Sequence, residues 1–191
     1  MDERKDFMFS RKDLQRLIIP LIVEQFLSIT IGMADTVMVS VCGEAAVSGV
    51  SLVDAINILM INIFSALATG GAIVSSQYIG REDLGKACEA AKQLVLAVFV
   101  LSTAIGAIFV FGGPQVLGLL YHDIEADVMA SAESYFFLTA RSYPCIALYN
   151  AGAALFRAMG NSKVSMTISI VMNCINIGGN ALFIFGFDMG A

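Results

Sequence analysis

Charge is scarce in this chain. Asp, Glu, Lys and Arg make up 14% of its 191 residues, while apolar types make up 58%. A soluble domain carries about 25% charged residues, so this balance excludes one and points to an integral membrane protein. Tryptophan is absent, whereas Met and Gly are plentiful, as suits closely packed membrane helices. The single histidine, His122, stands beside Asp123 with no cysteine nearby, and one imidazole makes no metal site. Cys42, Cys88, Cys145 and Cys174 are scattered and form no ligand-spaced pair, so they read as small buried hydrophobes. No basic stripe runs along the chain, which excludes a nucleic-acid footprint.

Catalytic signatures are missing too. No nucleophile elbow, no HExxH and no carboxylate pair suited to hydrolysis occurs. Gly80–Lys86 (GREDLGK) fits the phosphate-loop spacing G-x-x-x-x-G-K. However, Ala87 stands where a Mg²⁺-binding Ser or Thr belongs, and an apolar run, not a strand, precedes the motif. A membrane enzyme is therefore disfavoured.

What the chain does have is long apolar runs. A charged segment, residues 1–16, precedes five of them, at about 17–41, 50–78, 94–111, 135–156 and 164–187. The expected fold class is all-α integral membrane with five transmembrane helices. The third run is read as closing at Gly112-Gly113-Pro114, and residues 118–134 as a polar loop. The first run is too long and too acidic for a cleaved leader. The ending at Asp188-Met-Gly-Ala suggests the front part of a longer membrane protein.

Lys and Arg set the orientation. Residues Arg4, Lys5, Arg11, Lys12 and Arg16 precede the first run. Arg81, Lys86 and Lys92 follow the second, and Arg157 and Lys163 follow the fourth. Glu44, Asp123, Glu125, Asp127, Glu133 and Asp188 gather at the other ends. The positive-inside rule then predicts a cytoplasmic N-terminus.

The first run, LIIPLIVEQFLSITIGMADTVMVSV, holds Pro20, Glu24 and Asp35. A carboxylate at mid-membrane costs about 2.5–3.5 kcal/mol on insertion scales, so Asp35 is read as a functional acid. Counting from the outer ends puts Asp35, Asp54, Asn57, Arg141, Asn176 and Asn180 roughly 6–17 Å below the outer boundary. Asn173, Asn176 and Asn180 share one helical face, as do Asp54 and Asn57. Such groups face the bundle interior or a wet cavity and pair with one another. Asn57, Asn62 and Asn173 serve equally well as interhelical glue, and Asp54 equally well as a headgroup-level residue. Arg141 either snorkels outward or neutralises Asp35 or Asp54. Glu24, nearer the cytoplasmic end, belongs to another site or to none. Pro20 is expected to allow a bend, and Ala66/Gly70 and Ala147/Ala151 to permit close helix contact. A buried acid with amide oxygens around it can exchange a proton or bind Na⁺.

Together these residues resemble the N-terminal half of a multidrug and toxic compound extrusion (MATE) transporter. The likeness is carried by IIPLIVEQFL and GMADTVMVS in the first run and SALATGGAIVSSQYIGRED ending the second. ALYNAGAALFRAMGNSK closing the fourth and NCINIGGNALFIFG in the fifth complete it, so it covers nearly the whole chain. The resemblance implies a twelve-helix transporter of two six-helix bundles, of which this chain holds an incomplete N-terminal one. It implies export of cationic or amphipathic drugs across the plasma membrane in exchange for H⁺ or Na⁺, with no other cofactor, and partnership with the C-terminal half. It assigns ion coupling to Asp35, Asn176 and Asn180, a helix bend to Pro20, and lining roles to Asp54, Asn57 and Arg141. Some prokaryotic members carry an aspartate where this chain has Asn180. Two readings compete: a related lipid-linked oligosaccharide flippase, whose cavity should be rich in cations, and a non-transporting scaffold subunit.

Overall fold

The computed structural model describes residues 11–41, 43–122 and 124–186. Arg4, Lys5, Cys42, Asp123 and Asp188, invoked above, lie outside the described residues. Five long helices follow one another: α1 (Arg11–Ser40), α2 (Glu44–Gly80), α3 (Leu84–Leu120), α4 (Ala126–Ala158) and α5 (Ser162–Ala181). A short π-helical turn, Leu182–Gly186, continues α5.

Each helix is centred on one of the five apolar runs, and most extend beyond them. At about 1.5 Å per residue, the 37 residues of α2 or α3 reach roughly 55 Å, well past a hydrocarbon core of about 30 Å. Hydropathy marks only the part that crosses lipid, while the backbone stays helical into water. The polar loop expected over 118–134 is therefore corrected: α3 passes through Pro114 to Leu120, α4 begins at Ala126, and residues 121–125 alone separate them. Proline removes one backbone hydrogen bond, which membrane helices tolerate when neighbours support the turn. Here Gly113 lies against Phe136 of α4, and Tyr121 Oη donates to the Leu52 carbonyl at 3.1 Å.

Among the described residues, four helices are long and apolar enough to cross a membrane; α4 is the exception. It is also the helix at the centre. Ala132, Phe136, Ala140, Tyr143, Ala147, Ala151 and Ala154 recur every three or four residues along one stripe, and each is 5% exposed or less. Small residues let α2 and α3 approach that stripe. A Cβ added at Gly49 would meet the Ala132 backbone nitrogen at 2.8 Å, and one at Gly106 the Ala140 carbonyl oxygen at 2.8 Å. Phe64 and Tyr143, and Phe109 and Tyr143, meet edge-on at 5.8 and 6.0 Å. Of the two small-residue pairs expected, Ala147/Ala151 is fully buried. Ala66/Gly70 is exposed, and the neighbouring Ala68/Ala72 face with Gly71 against Leu94 makes the contact instead.

Helix α1 is held differently. It packs along α5 and touches α2 only lightly. Ile22, Phe26, Ile29, Met33 and Val37 are exposed, and Pro20 is buried within a helix that continues unbroken through it.

The ends are set by local chemistry. Gly160, at φ +77°, closes α4: its N–H donates to the Arg157 carbonyl and the Asn161 N–H to that of Phe156. This left-handed glycine cap satisfies the last carbonyls and turns the chain sharply into α5. At the start of α3, the Asp83 carboxylate accepts from the Lys86 backbone N–H at 3.1 Å and pairs with its ammonium at 3.2 Å.

Candidate functional site

Helices α1, α2, α4 and α5 enclose a cavity of about 360 Å³, the outer cavity. Asp35 from α1, Asp54 from α2, Tyr135 from α4 and Asn176 and Asn180 from α5 line it. Asn176 and Asn180 are one turn apart, so α5 offers both amides to the same space. Asn180 Nδ2 donates to Asp35 Oδ1 at 2.8 Å and approaches Asn176 Oδ1 at 3.4 Å. Tyr135 Oη donates to Asp54 Oδ1 at 3.3 Å. Asn57 Nδ2 also reaches that oxygen, at 3.5 Å, while Asn57 Oδ1 accepts from Tyr143 Oη at 2.9 Å.

Three of the residues singled out from the sequence, Asp35, Asn176 and Asn180, are thus brought together, with Asp54 in the same cavity. Two lining assignments are corrected. Asn57 is buried at the α2–α4 contact and stands behind Asp54 instead of facing the cavity. Arg141 is exposed, its guanidinium 5.2 Å from the Phe137 ring on its own helix. Among the described residues it forms no ion pair with Asp35 or Asp54. Tyr135 was missed, although it begins the fourth apolar run and lies nearly two turns before Arg141.

Chemically, the outer cavity presents two carboxylates and two amide oxygens. Like charges facing a common space repel, and a proton or a small cation between them relieves that repulsion. Among the described residues no cluster of three His, Cys, Asp or Glu side chains is positioned to hold a metal ion.

A second polar centre lies eleven residues down α1. The Glu24 carboxylate accepts from Ser165 Oγ at 3.1 and 3.0 Å, from Arg157 at 3.3 Å and from Tyr149 Oη at 3.5 Å. Glu24 is therefore no isolated acid: α1, α4 and α5 meet at it. Arg157 had been counted only as a basic loop residue, but it occupies the last turn of α4, and the Gly160 cap folds α5 back so that Ser165 reaches the same carboxylate. Depth counting carried no signal for this pair, since Glu24 is thirteen residues into α1 and Arg157 one residue from the end of α4.

The MatE family model matches residues 20–182. The chain belongs to the MatE family. It is 30% identical over 167 residues to an uncharacterized transporter, YisQ, of Bacillus subtilis, covering 87% of this chain and 36% of that protein. It is 25% identical over 179 residues to a Thermotoga maritima protein named "Probable multidrug resistance protein NorM", covering 92% of this chain and 38% of that one. In fold it superposes on a MOP superfamily transporter from Pyrococcus furiosus with a TM-score of 0.87 at 20% identity, over 94% of this chain and 39% of that one. The chain thus spans less than two-fifths of the length of each of these proteins. Five helices of the N-terminal half, in the arrangement of a MATE transporter, are what the sequence led one to expect. The chain is a multi-pass membrane protein.

Proposed function

We propose that this chain forms the N-terminal bundle of a secondary-active antiporter, which exports cationic or amphipathic drugs in exchange for H⁺ or Na⁺. The observation that carries this reading is the Asp35–Asn180 hydrogen bond facing a cavity that also holds Asp54. Asp35 is the ion-responsive group, Asn180 and Asn176 its amide partners, and Asp54 a second acid that raises the cavity's demand for positive charge. Protonation or Na⁺ binding at Asp35 releases Asn180 and frees α1 to bend at Pro20. Each inward-moving cation gains about 2.3 kcal/mol per 100 mV of membrane potential, which drives the drug outward.

The N-terminus lies in the cytoplasm and the bundle in the plasma membrane, in keeping with the Lys and Arg distribution. Alternating access requires a second bundle to move against, so export depends on the C-terminal half. The names of the MatE relatives favour drug export, and the carboxylates of the outer cavity favour it over a flippase with a cationic cavity.

The test is drug efflux from the assembled transporter, with and without Asp35→Asn, under separate H⁺ and Na⁺ gradients. Loss of efflux by at least ten-fold under the coupling gradient is expected. Unchanged efflux under both gradients would remove the role assigned to Asp35.

A further inference from the structure

The α3–α4 contact carries a groove that shares no residue with the outer cavity. About 540 Å³ lies between Lys92, Val95, Leu96 and Phe99 of α3 and Leu148 and Leu155 of α4. The four α3 residues follow i, i+3, i+4, i+7 and so share one helical face. Leu148 and Leu155, seven residues apart, share a face of α4. Between them Gly152 bears no side chain, and a Cβ built there would meet nothing within 4 Å. Neither helix therefore fills the groove from within. Beyond Phe99, the hydroxyls of Ser102 and Thr103 both donate to the Phe99 carbonyl, at 3.1 and 2.7 Å, which leaves no hydroxyl to the deep end.

The other end is charged. Among the residues lining the groove only Lys92 is polar. It is the ninth residue of α3, two before the third apolar run, so its ammonium stands at headgroup level. Phe99 lies roughly 10 Å further along the helix, within hydrocarbon. The bundle leaves this ammonium unanswered. Among the described residues the ion pairs are Lys86–Asp83 and Arg157–Glu24, and Lys92 takes part in neither. Glu89, one turn before it, is exposed and pairs with no cation.

A groove of this kind is covered by a further helix, by a second copy of the chain or by lipid. A helix laid along it would shut the ammonium from water against carbon, and a charge buried unpaired is costly. A second copy docked two-fold through the same groove would bring Lys92 towards its own symmetry mate, like charge against like. An anionic lipid answers both ends at once, with its phosphate at the ammonium and a chain along the apolar walls.

We propose that the α3–α4 groove is a binding site for one anionic phospholipid, drawn from the leaflet on the side of the α2–α3 turn. In the orientation proposed above that leaflet is the cytoplasmic one. The Lys92 ammonium holds the phosphate, and an acyl chain runs past Val95 and Leu96 towards Phe99 and Leu148. The site stands apart from ion coupling and export, so it does not depend on either.

The test places the assembled transporter in phosphatidylcholine vesicles with a trace of phosphatidylglycerol whose acyl chain bears a photoactivatable diazirine. After illumination, mass spectrometry maps the labelled peptides. Labelling should concentrate on residues 95–99 and 148–155 and disappear when plain phosphatidylglycerol is added, but not when more phosphatidylcholine is. Lys92→Gln should lower it about five-fold, the worth of one lysine beside an anionic headgroup. Lys92→Arg should retain it. Val95→Trp, which fills the groove and leaves the charge in place, should also lower it. Lys92 and Val95 are exposed, so these variants keep the bundle packed, and thermal melting checks that they do. Labelling spread evenly over the lipid-facing helices, or unchanged in Lys92→Gln, would overturn the site. Absence of label from the groove, as expected if protein covers it, would overturn it as well.

Discussion

Asn180 Nδ2 donates to Asp35 Oδ1 at 2.8 Å, joining helices whose residues stand 145 positions apart in the chain. Asp35 is only partly exposed, so this amide is its main protein donor. Asn180→Ala removes it. The loss should destabilise the bundle by about 1 kcal/mol, the low end for a hydrogen bond to a charged group because solvent reaches the carboxylate. Thermal unfolding in detergent measures the change, and a shift indistinguishable from zero would show that the bond contributes nothing.

Tyr143 Oη and Asn57 Oδ1 meet at 2.9 Å inside the α2–α4 contact, with Tyr143 1% and Asn57 8% exposed. Tyr143→Phe keeps the ring contacts with Phe64 and Phe109 but strands a buried carbonyl oxygen, at about 1–3 kcal/mol. Replacing both partners, as Asn57→Leu/Tyr143→Phe, should recover most of that loss. A double variant less stable than Tyr143→Phe alone would contradict this account.

Gly106 and Gly112 are six residues apart on α3 yet should respond oppositely. A Cβ at Gly106 would meet the Ala140 carbonyl oxygen at 2.8 Å, whereas one at Gly112 meets nothing within 4 Å. Backbone cannot rotate out of the way, so Gly106→Ala should destabilise by about 1–3 kcal/mol. Gly112→Ala should be neutral or stabilising by up to about 1 kcal/mol through helix propensity. Comparative melting of the two variants decides the matter.

The Lys86 backbone N–H, with help from the Lys86 side chain, holds the Asp83 carboxyl below its ordinary value of 3.8. A folded-state pKa below the unfolded one means the cap stabilises α3 above the unfolded value and is lost as pH falls through the folded one. The window therefore lies below 3.8. The Lys86 amide resonance should titrate with a midpoint in that window, and Asp83→Asn should abolish the titration. A midpoint at or above 3.8 would refute the arrangement.

Helix number and the association of Asp35, Asn176 and Asn180 were legible because both follow from local rules. Apolar run length fixes what crosses lipid, and the i, i+3, i+7 spacing fixes what shares a face. The depth count also brought Asp54 to the right level. The same count failed for Arg141, since depth says nothing about azimuth: six residues past Tyr135, Arg141 leaves α4 on a different face. It failed for Glu24 through a different gap. Its partners come from a helix end and from the first turns of the next helix, and only the left-handed turn at Gly160 brings those together. Helix ends were underestimated because hydropathy falls before hydrogen bonding does.

The close backbone contacts at Gly49 and Gly106 also divide the bundle mechanically. Where main chains touch, no side chain can change rotamer to absorb a shift, so α2, α3 and α4 form a chassis that moves as one piece. The α1–α5 seam is of another kind. It is fastened near one end by Ser165 to Glu24 and near the other by Asn180 to Asp35, one small polar side chain to one carboxylate each time. Hydrogen bonds of that sort can be exchanged singly, so the two fasteners can open one after the other. In the proposed antiport cycle, displacement of α1 would then be a zipper-like event whose order is set by which carboxylate is neutralised first.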